Sequence, residues 1–216
     1  MDDKTTSRGS VLVTGGTVRI GAAIAARLRA RGWRVITSSH RADSGADLVA
    51  DLAEPLSAAR LYAQAAALAG GTLDAVVNNA ALFAGDEATL TAVNLEAPRK
   101  LATMLAGRED GGGAVVNVVD LNVIDNAYGR TKRELTDFTR RGAALFAATL
   151  RMNAVAPGPV LAPTGVREKA GETLLDRRPT PDDVADAVAF LLEAKSVTGV
   201  VLPVDAGQHL LLEDRP

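Results

Sequence analysis

The chain has 216 residues, 47% of them hydrophobic, 23% charged and only 3% aromatic, which suits one α/β domain with a core of Ala, Val and Leu and leaves too little for a separate substrate domain. Its formal net charge of −2 gives no basic footprint for nucleic acid or anionic lipid and favours a small-molecule partner. With no cysteine and two histidines, at positions 40 and 209, the sequence excludes disulfides, thiolate nucleophiles and thiolate metal sites, and metal catalysis is not expected.

Residues 1–9 are polar and run straight into an apolar segment, so a flexible N-terminus is expected rather than a signal peptide or membrane anchor, and the protein reads as cytoplasmic. Residues 10–212 are expected to form a single domain. Val11–Val13 predicts a buried strand, followed by a Gly-rich turn at 15–16 and an Ala-rich helix from Ile20 to Arg31 that stops at Gly32. Val35-Ile36 and Asp47–Ala50 predict strands, Leu56–Leu68 a helix, and Leu73–Val77 a strand ending at Asn78-Asn79. A helix over Leu90–Leu105, a strand over Ala114–Val118, a long helix over Tyr128–Ala148 and a strand over Arg151–Val155 follow. Asp182–Glu193, capped by Thr180 or Asp182, is the last predicted helix and Val200–Val204 the last strand. Seven short strands alternating with helices imply a doubly wound parallel sheet with helices on both faces, whose ligand crevice lies at the carboxyl ends of the strands. Residues 159–178 form the one long irregular stretch, and long loops in compact domains are often lids.

Thr14-Gly15-Gly16-Thr17-Val18-Arg19-Ile20-Gly21 follows the first strand and opens the first helix. Amides at such a helix start can cradle phosphates, and glycine lets the main chain approach them, although a plain tight turn has the same composition. The pattern resembles the TGxxxGxG of the short-chain dehydrogenase/reductase family, a Rossmann-type fold, and the similarity runs from Val11 to Leu210. It departs at Arg19, where that family usually has Gly; the TGxxxRxG variant resembles the pteridine reductases and dihydromonapterin reductases. The resemblance implies that Gly15, Thr17, Arg19 and Ile20 bind cofactor, with Arg19 near both phosphates and substrate.

At the end of the second strand stands Ser38-Ser39-His40-Arg41, without the acidic residue that holds the ribose hydroxyls in NAD-specific enzymes. Arg41 can make charge-assisted hydrogen bonds to a 2′-phosphate, helped by Ser39 and His40, so NADP(H) is the expected cofactor. By resemblance, Asp51-Leu52 would read the adenine edge, Asn79-Ala80 would lie along the cofactor ribose, and Pro157-Gly158 would close the strand beside it.

Tyr128-Gly129-Arg130-Thr131-Lys132 is a YxxxK motif whose i, i+4 spacing puts Tyr128 and Lys132 on one helix face. A tyrosine needs its phenolate stabilised to move protons near neutrality, which an adjacent ammonium can supply; a surface tyrosine lying on a lysine stem is the plainer alternative. In the family, Lys132 also binds the cofactor ribose, and Asn94 matches the asparagine that holds a water in a proton relay to it. Asp120 stands where the family usually has serine; in pteridine reductases this Asp and the Tyr together protonate a ring nitrogen of the pterin. Phe83 resembles the phenylalanine that stacks on the pterin ring.

The resemblance therefore implies an NADPH-dependent pteridine reductase, with Asp120, Tyr128, Lys132 and Asn94 catalytic and Phe83, Arg19, Asp120 and Tyr128 facing the substrate. The span from Asp120 to Tyr128 is about five residues shorter than the family's, so Asp125 or Asn122 can be weighed in Asp120's place. A reductase of a ketone or acyl substrate, and an NADP-binding regulator without turnover, are the alternatives. The family usually forms homotetramers through its two central helices, to which Leu135, Phe138 and Leu145 can contribute, although burial within one chain explains them equally well. His209 can face the pocket, or be a satisfied surface residue.

Overall fold

A computed structural model describes residues 8–108, 110–121, 125–160 and 173–213. Strands β1 (Ser10–Thr14), β2 (Arg34–Ser39), β3 (Leu48–Val49), β4 (Ala75–Asn78), β5 (Gly113–Val118), β6 (Leu150–Pro157) and β7 (Val201–Val204) form one sheet in the order β3-β2-β1-β4-β5-β6-β7. Every pairing is parallel, and Val13 lies between Thr37 of β2 and Val77 of β4. The order reverses between β1 and β4, which opens a crevice at their carboxyl ends.

The middle of the sheet is mainly apolar, as in Val11–Val13 and Ala75–Val77, because both faces are covered. Helices α1 (Arg19–Ala30) and α6 (Pro181–Glu193) cover one face, where Ile24 and Leu28 meet Val184, Val188 and Leu191 over Val11, Val13 and Val116. The other face carries α2 (Ser57–Ala69), α4 (Ala97–Ala106) and α5 (Ala127–Leu145), with Leu61, Leu101, Leu105 and Met152 in its core. Thr180 caps α6 through a reciprocal capping box with Asp183.

The single helix expected over Leu90–Leu105 is three pieces: α3 (Glu87–Thr91), a π-helical turn over Ala92–Glu96, and α4. The physical reason is Pro98. It has no N–H, so the Asn94 carbonyl cannot receive an α-helical bond, and the chain widens there. Helix α5 ends at Leu145 rather than Ala148, and a short α7 (Gln208–Glu213), absent from the sequence-based expectation, follows β7. Of the expected lid, residues 161–172 lie outside the described residues, as do residues 1–7 of the expected flexible N-terminus and Asn122. No helix among the described residues is long and apolar enough to cross a membrane.

Candidate active site

The crevice is a cleft of about 820 Å³ running from the end of β2, across the turn into α1, to the start of α5. It gathers Gly15, Thr17, Arg19, Ile20, Ser39, His40, Arg41, Asp51, Leu52, Asn79, Ala80, Pro157 and Gly158 with Phe83, Asp120, Tyr128 and Lys132. Of the residues proposed from the sequence, Asn94 does not line it, and neither do Asp125 and His209. Val18, Asp43, Ser44, Thr89, Val93 and Val160 line it without having been singled out.

The nucleotide end is shaped by close approach of backbone. Gly15 has φ 63°, and Asn79 Nδ2 donates to the carbonyls of Thr14 and Gly15 at 3.0 and 3.1 Å. Thr14 Oγ1 accepts from the amides of Asn79 and Ala80, both at 3.0 Å, tying the end of β4 to the end of β1. A methyl group on Gly21 would stand 2.6 Å from Asn79 Nδ2 and run into the Gly15 carbonyl. Gly21→Ala is accordingly expected to cost about 1–3 kcal/mol of stability by overpacking and to weaken nucleotide binding about tenfold or more, because the turn cannot keep its shape. Thermal melts and calorimetric titration of the purified variant check this; wild-type values in both would mean that the turn yields more easily than its contacts imply. Arg19 occupies a left-handed conformation, φ 53°, which explains why glycine suits this position: an L side chain there costs roughly 1–2 kcal/mol.

Arg41 stands exposed on the cleft wall and is engaged by a neighbouring carboxylate. Its Nε and Nη2 donate to Asp43 Oδ1 and Oδ2 at 3.1 and 2.9 Å, and its amide donates to Ser39 Oγ at 3.1 Å. Asp51 accepts from the Ala53 amide at 2.9 Å, which leaves its carboxylate at the cleft wall.

At the other end, Asn126 starts α5 by accepting from the Gly129 amide at 2.8 Å, placing Tyr128 in the first turn. Tyr128 Oη donates to Asp120 Oδ2 at 3.1 Å. The short connection therefore still brings Asp120 to the tyrosine, whereas Asp125 is paired with Arg133 at 2.9 Å. Phe83, 73% exposed, holds its ring 5.2 Å from that of Tyr128 at a tilt of 32°.

Lys132 is buried, and its Nζ donates to the Val118 carbonyl at 2.9 Å. Burial draws its pKa down to about 8, against a smaller opposing pull from Asp120. At Tyr128, burial first, then the charge of Asp120 and the hydrogen bond to it, raise the pKa. Lys132 Nζ lies 5.8 Å from the tyrosine ring centre and gives its hydrogen bond elsewhere. Tyr128 is therefore held as a phenol whose hydroxyl donates to Asp120.

Asn94 acts at one remove. Its Oδ1 accepts from the Leu82 amide and its Nδ2 donates to the Leu82 carbonyl, both at 2.8 Å, and Nδ2 also reaches Thr131 Oγ1 at 3.3 Å. Thr131 Oγ1 in turn donates to the Tyr128 carbonyl at 2.7 Å. The side chain thus fixes the residue before Phe83 and the first turn of α5, while its carbonyl is the one deprived of an α-helical donor by Pro98. Asp205, 6% exposed, accepts from the Gly207 and His209 amides at 3.0 and 2.7 Å and lies 2.8 Å from His209 Nδ1, which ties His209 to the turn after β7.

A glycine-walled turn at the head of a parallel sheet, with a Tyr-x-x-x-Lys pair across the same cleft, defines an oxidoreductase site. Residues 18–209 match the family described as enoyl-(acyl carrier protein) reductase, and the chain belongs to the short-chain dehydrogenase/reductase family. A protein assigned as ketoacyl reductase 2 of the granaticin polyketide synthase of Streptomyces violaceoruber is 32% identical, over 93% of this chain and 96% of its own. Among solved structures, FolM alternative dihydrofolate reductase 1 from Brucella canis, complexed with NADP, is 32% identical with a TM-score of 0.83, covering 94% of this chain and 95% of that one. A blue fluorescent protein from a metagenomic library, in complex with NADPH, is 27% identical with a TM-score of 0.84, covering 94% and 98%.

Proposed function

We propose that this protein is an NADPH-dependent reductase that delivers a hydride to a pteridine-type substrate, a dihydropterin or dihydrofolate. The observation that carries the reading is the Tyr128–Asp120 hydrogen bond with the Phe83 ring beside it. A carboxyl and a phenol joined at one face can pass a proton to a ring nitrogen, and an aromatic ring next to them suits a flat heterocycle. The likeness to a dihydrofolate reductase complexed with NADP supports both cofactor and substrate class.

The residues fit NADP(H). The turn packs closely against Asn79 and Ala80 because Gly15 and Gly21 carry no side chain, Arg41 and Ser39 stand at the adenosine end, and Asn79, Ala80, Pro157, Gly158 and Lys132 wall the other. When bound, the cofactor supplies the hydride. The chain supplies the rest. Tyr128 Oη holds the proton, raised in pKa by burial and by Asp120; the Asp120 carboxylate accepts it through Oδ2 and passes it to the substrate nitrogen, and the phenolate left on Tyr128 regains a proton from water. Lys132 places a buried amino group at the junction, anchored on Val118. Asn94 and Thr131 position these groups through Leu82 and the Tyr128 carbonyl. The protein acts in the cytoplasm as a homotetramer in which neighbouring copies cover the face of α4 and α5 that carries Arg99, Phe138 and the 75% exposed Leu145.

The test is NADPH oxidation by the purified protein with dihydrobiopterin, dihydromonapterin and dihydrofolate in turn, beside a β-ketoacyl thioester. Turnover confined to the pteridines is the expected result. Turnover of the thioester alone would instead favour carbonyl reduction, which the likeness to a protein assigned as a ketoacyl reductase supports, with Asp120 reduced to polarising the carbonyl.

A further inference from the structure

The carboxylate that the sequence lacks at the end of β2 returns to the cleft from the following turn. After Ser39 the chain passes Arg41 and enters a 3-10 turn over Ala42–Ser44, closed by Gly45 at φ 70°. The turn is braced from within: Arg41 N donates to Ser39 Oγ at 3.1 Å, and Ser44 Oγ and N donate to the Arg41 carbonyl at 2.7 and 3.3 Å. That bracing sets Asp43 beside Arg41 in a two-pronged contact, and both residues line the cleft with Ser39 and His40.

A guanidinium presents its N–H groups as a fork that a carboxylate and a phosphate grip in the same way. Asp43 already holds the Nε and Nη2 prongs of Arg41. A 2′-phosphate entering here must share or displace it and must sit near its negative charge. A free ribose 2′-hydroxyl carries no charge and needs an acceptor, which the same carboxylate offers.

We propose that Asp43 is a specificity-determining residue for the nucleotide, lowering the advantage of NADPH and giving the protein a working affinity for NADH. It does so by competing with the 2′-phosphate for Arg41 and by accepting from the 2′-hydroxyl when no phosphate is present. The inference rests on the reading of the cleft as a nicotinamide dinucleotide site and goes beyond it in assigning dual use.

Calorimetric titration of the wild type and Asp43→Asn with NADPH and with NADH separates the two. The wild type is expected to bind both. Asp43→Asn should tighten NADPH about three- to fivefold and weaken NADH about two- to threefold, as the loss of one exposed charge allows, so that the preference for NADPH rises about tenfold. The change should shrink at high salt, since these groups are exposed and screened. A preference within twofold of the wild type, or a wild type that binds NADPH and no NADH, overturns the proposal and leaves the cofactor reading standing. A wild type that binds neither nucleotide overturns both.

Discussion

Tyr128→Phe is expected to lower turnover about a thousandfold, in the range of a lost general acid, while leaving NADPH affinity within about twofold of the wild type. The ring is retained, so its contact with Phe83 persists. What disappears is the hydroxyl that donates to Asp120. Because burial and the Asp120 charge raise the phenol pKa, the wild-type group stays protonated through neutrality and its loss removes an acid rather than a base. Single-turnover kinetics with the nucleotide prebound isolate this step. A fall of less than tenfold would transfer the proton-donating role to Asp120 alone.

Lys132→Met is expected to make the protein more stable at pH 7 and nearly inactive. The lysine is fully buried and its pKa is drawn from 10.5 to about 8. Between those values the unfolded chain carries a proton that the folded chain has released, so wild-type stability rises with pH across that window, and below it the whole cost of burying the charge is present, about 3 kcal/mol. Methionine removes that cost but leaves the Val118 carbonyl without its donor, a loss of about 1–2 kcal/mol. The variant should thus gain about 1–2 kcal/mol at pH 7, and as pH rises from 8 to 10.5 its advantage should fall through zero and reverse by about the same amount. Denaturant unfolding at several pH values reads this directly. An advantage independent of pH would mean that Lys132 is not buried as an ammonium, and turnover within tenfold of the wild type would remove it from the site.

The sheet was legible because each strand is an apolar run bounded by turn residues, from Val11–Val13 to Val200–Val204, and the sequence places all seven within a few residues of where they lie. The glycine turn and the Tyr128–Lys132 pair were legible because their chemistry depends on local spacing. What depends on a side chain choosing among distant partners was not. Asn94 gives no sign in sequence that its amide is taken by Leu82, although Pro98 was a signal that the helix there could not be regular. Asp43 lay outside every motif, and only the turn through Ala42–Ser44 brings it to Arg41. The phenol's preference for its proton likewise comes from burial and from a carboxylate eight positions away in sequence, neither of which a YxxxK pattern contains.

The two-way clamp of Asn94 on Leu82 has an evolutionary corollary. Backbone position at the ring-bearing segment is set one residue earlier, by a bond that does not involve the identity of residue 83, and the Phe83 side chain itself projects largely into solvent. Under the proposed function, substitutions at 83 would change which molecules are accepted and remove a ring contact of Tyr128 while leaving the Asn94–Leu82 clamp in place. On the proposed function, a lineage built on this scaffold would change its diet at one codon while the backbone that carries the site is inherited unchanged.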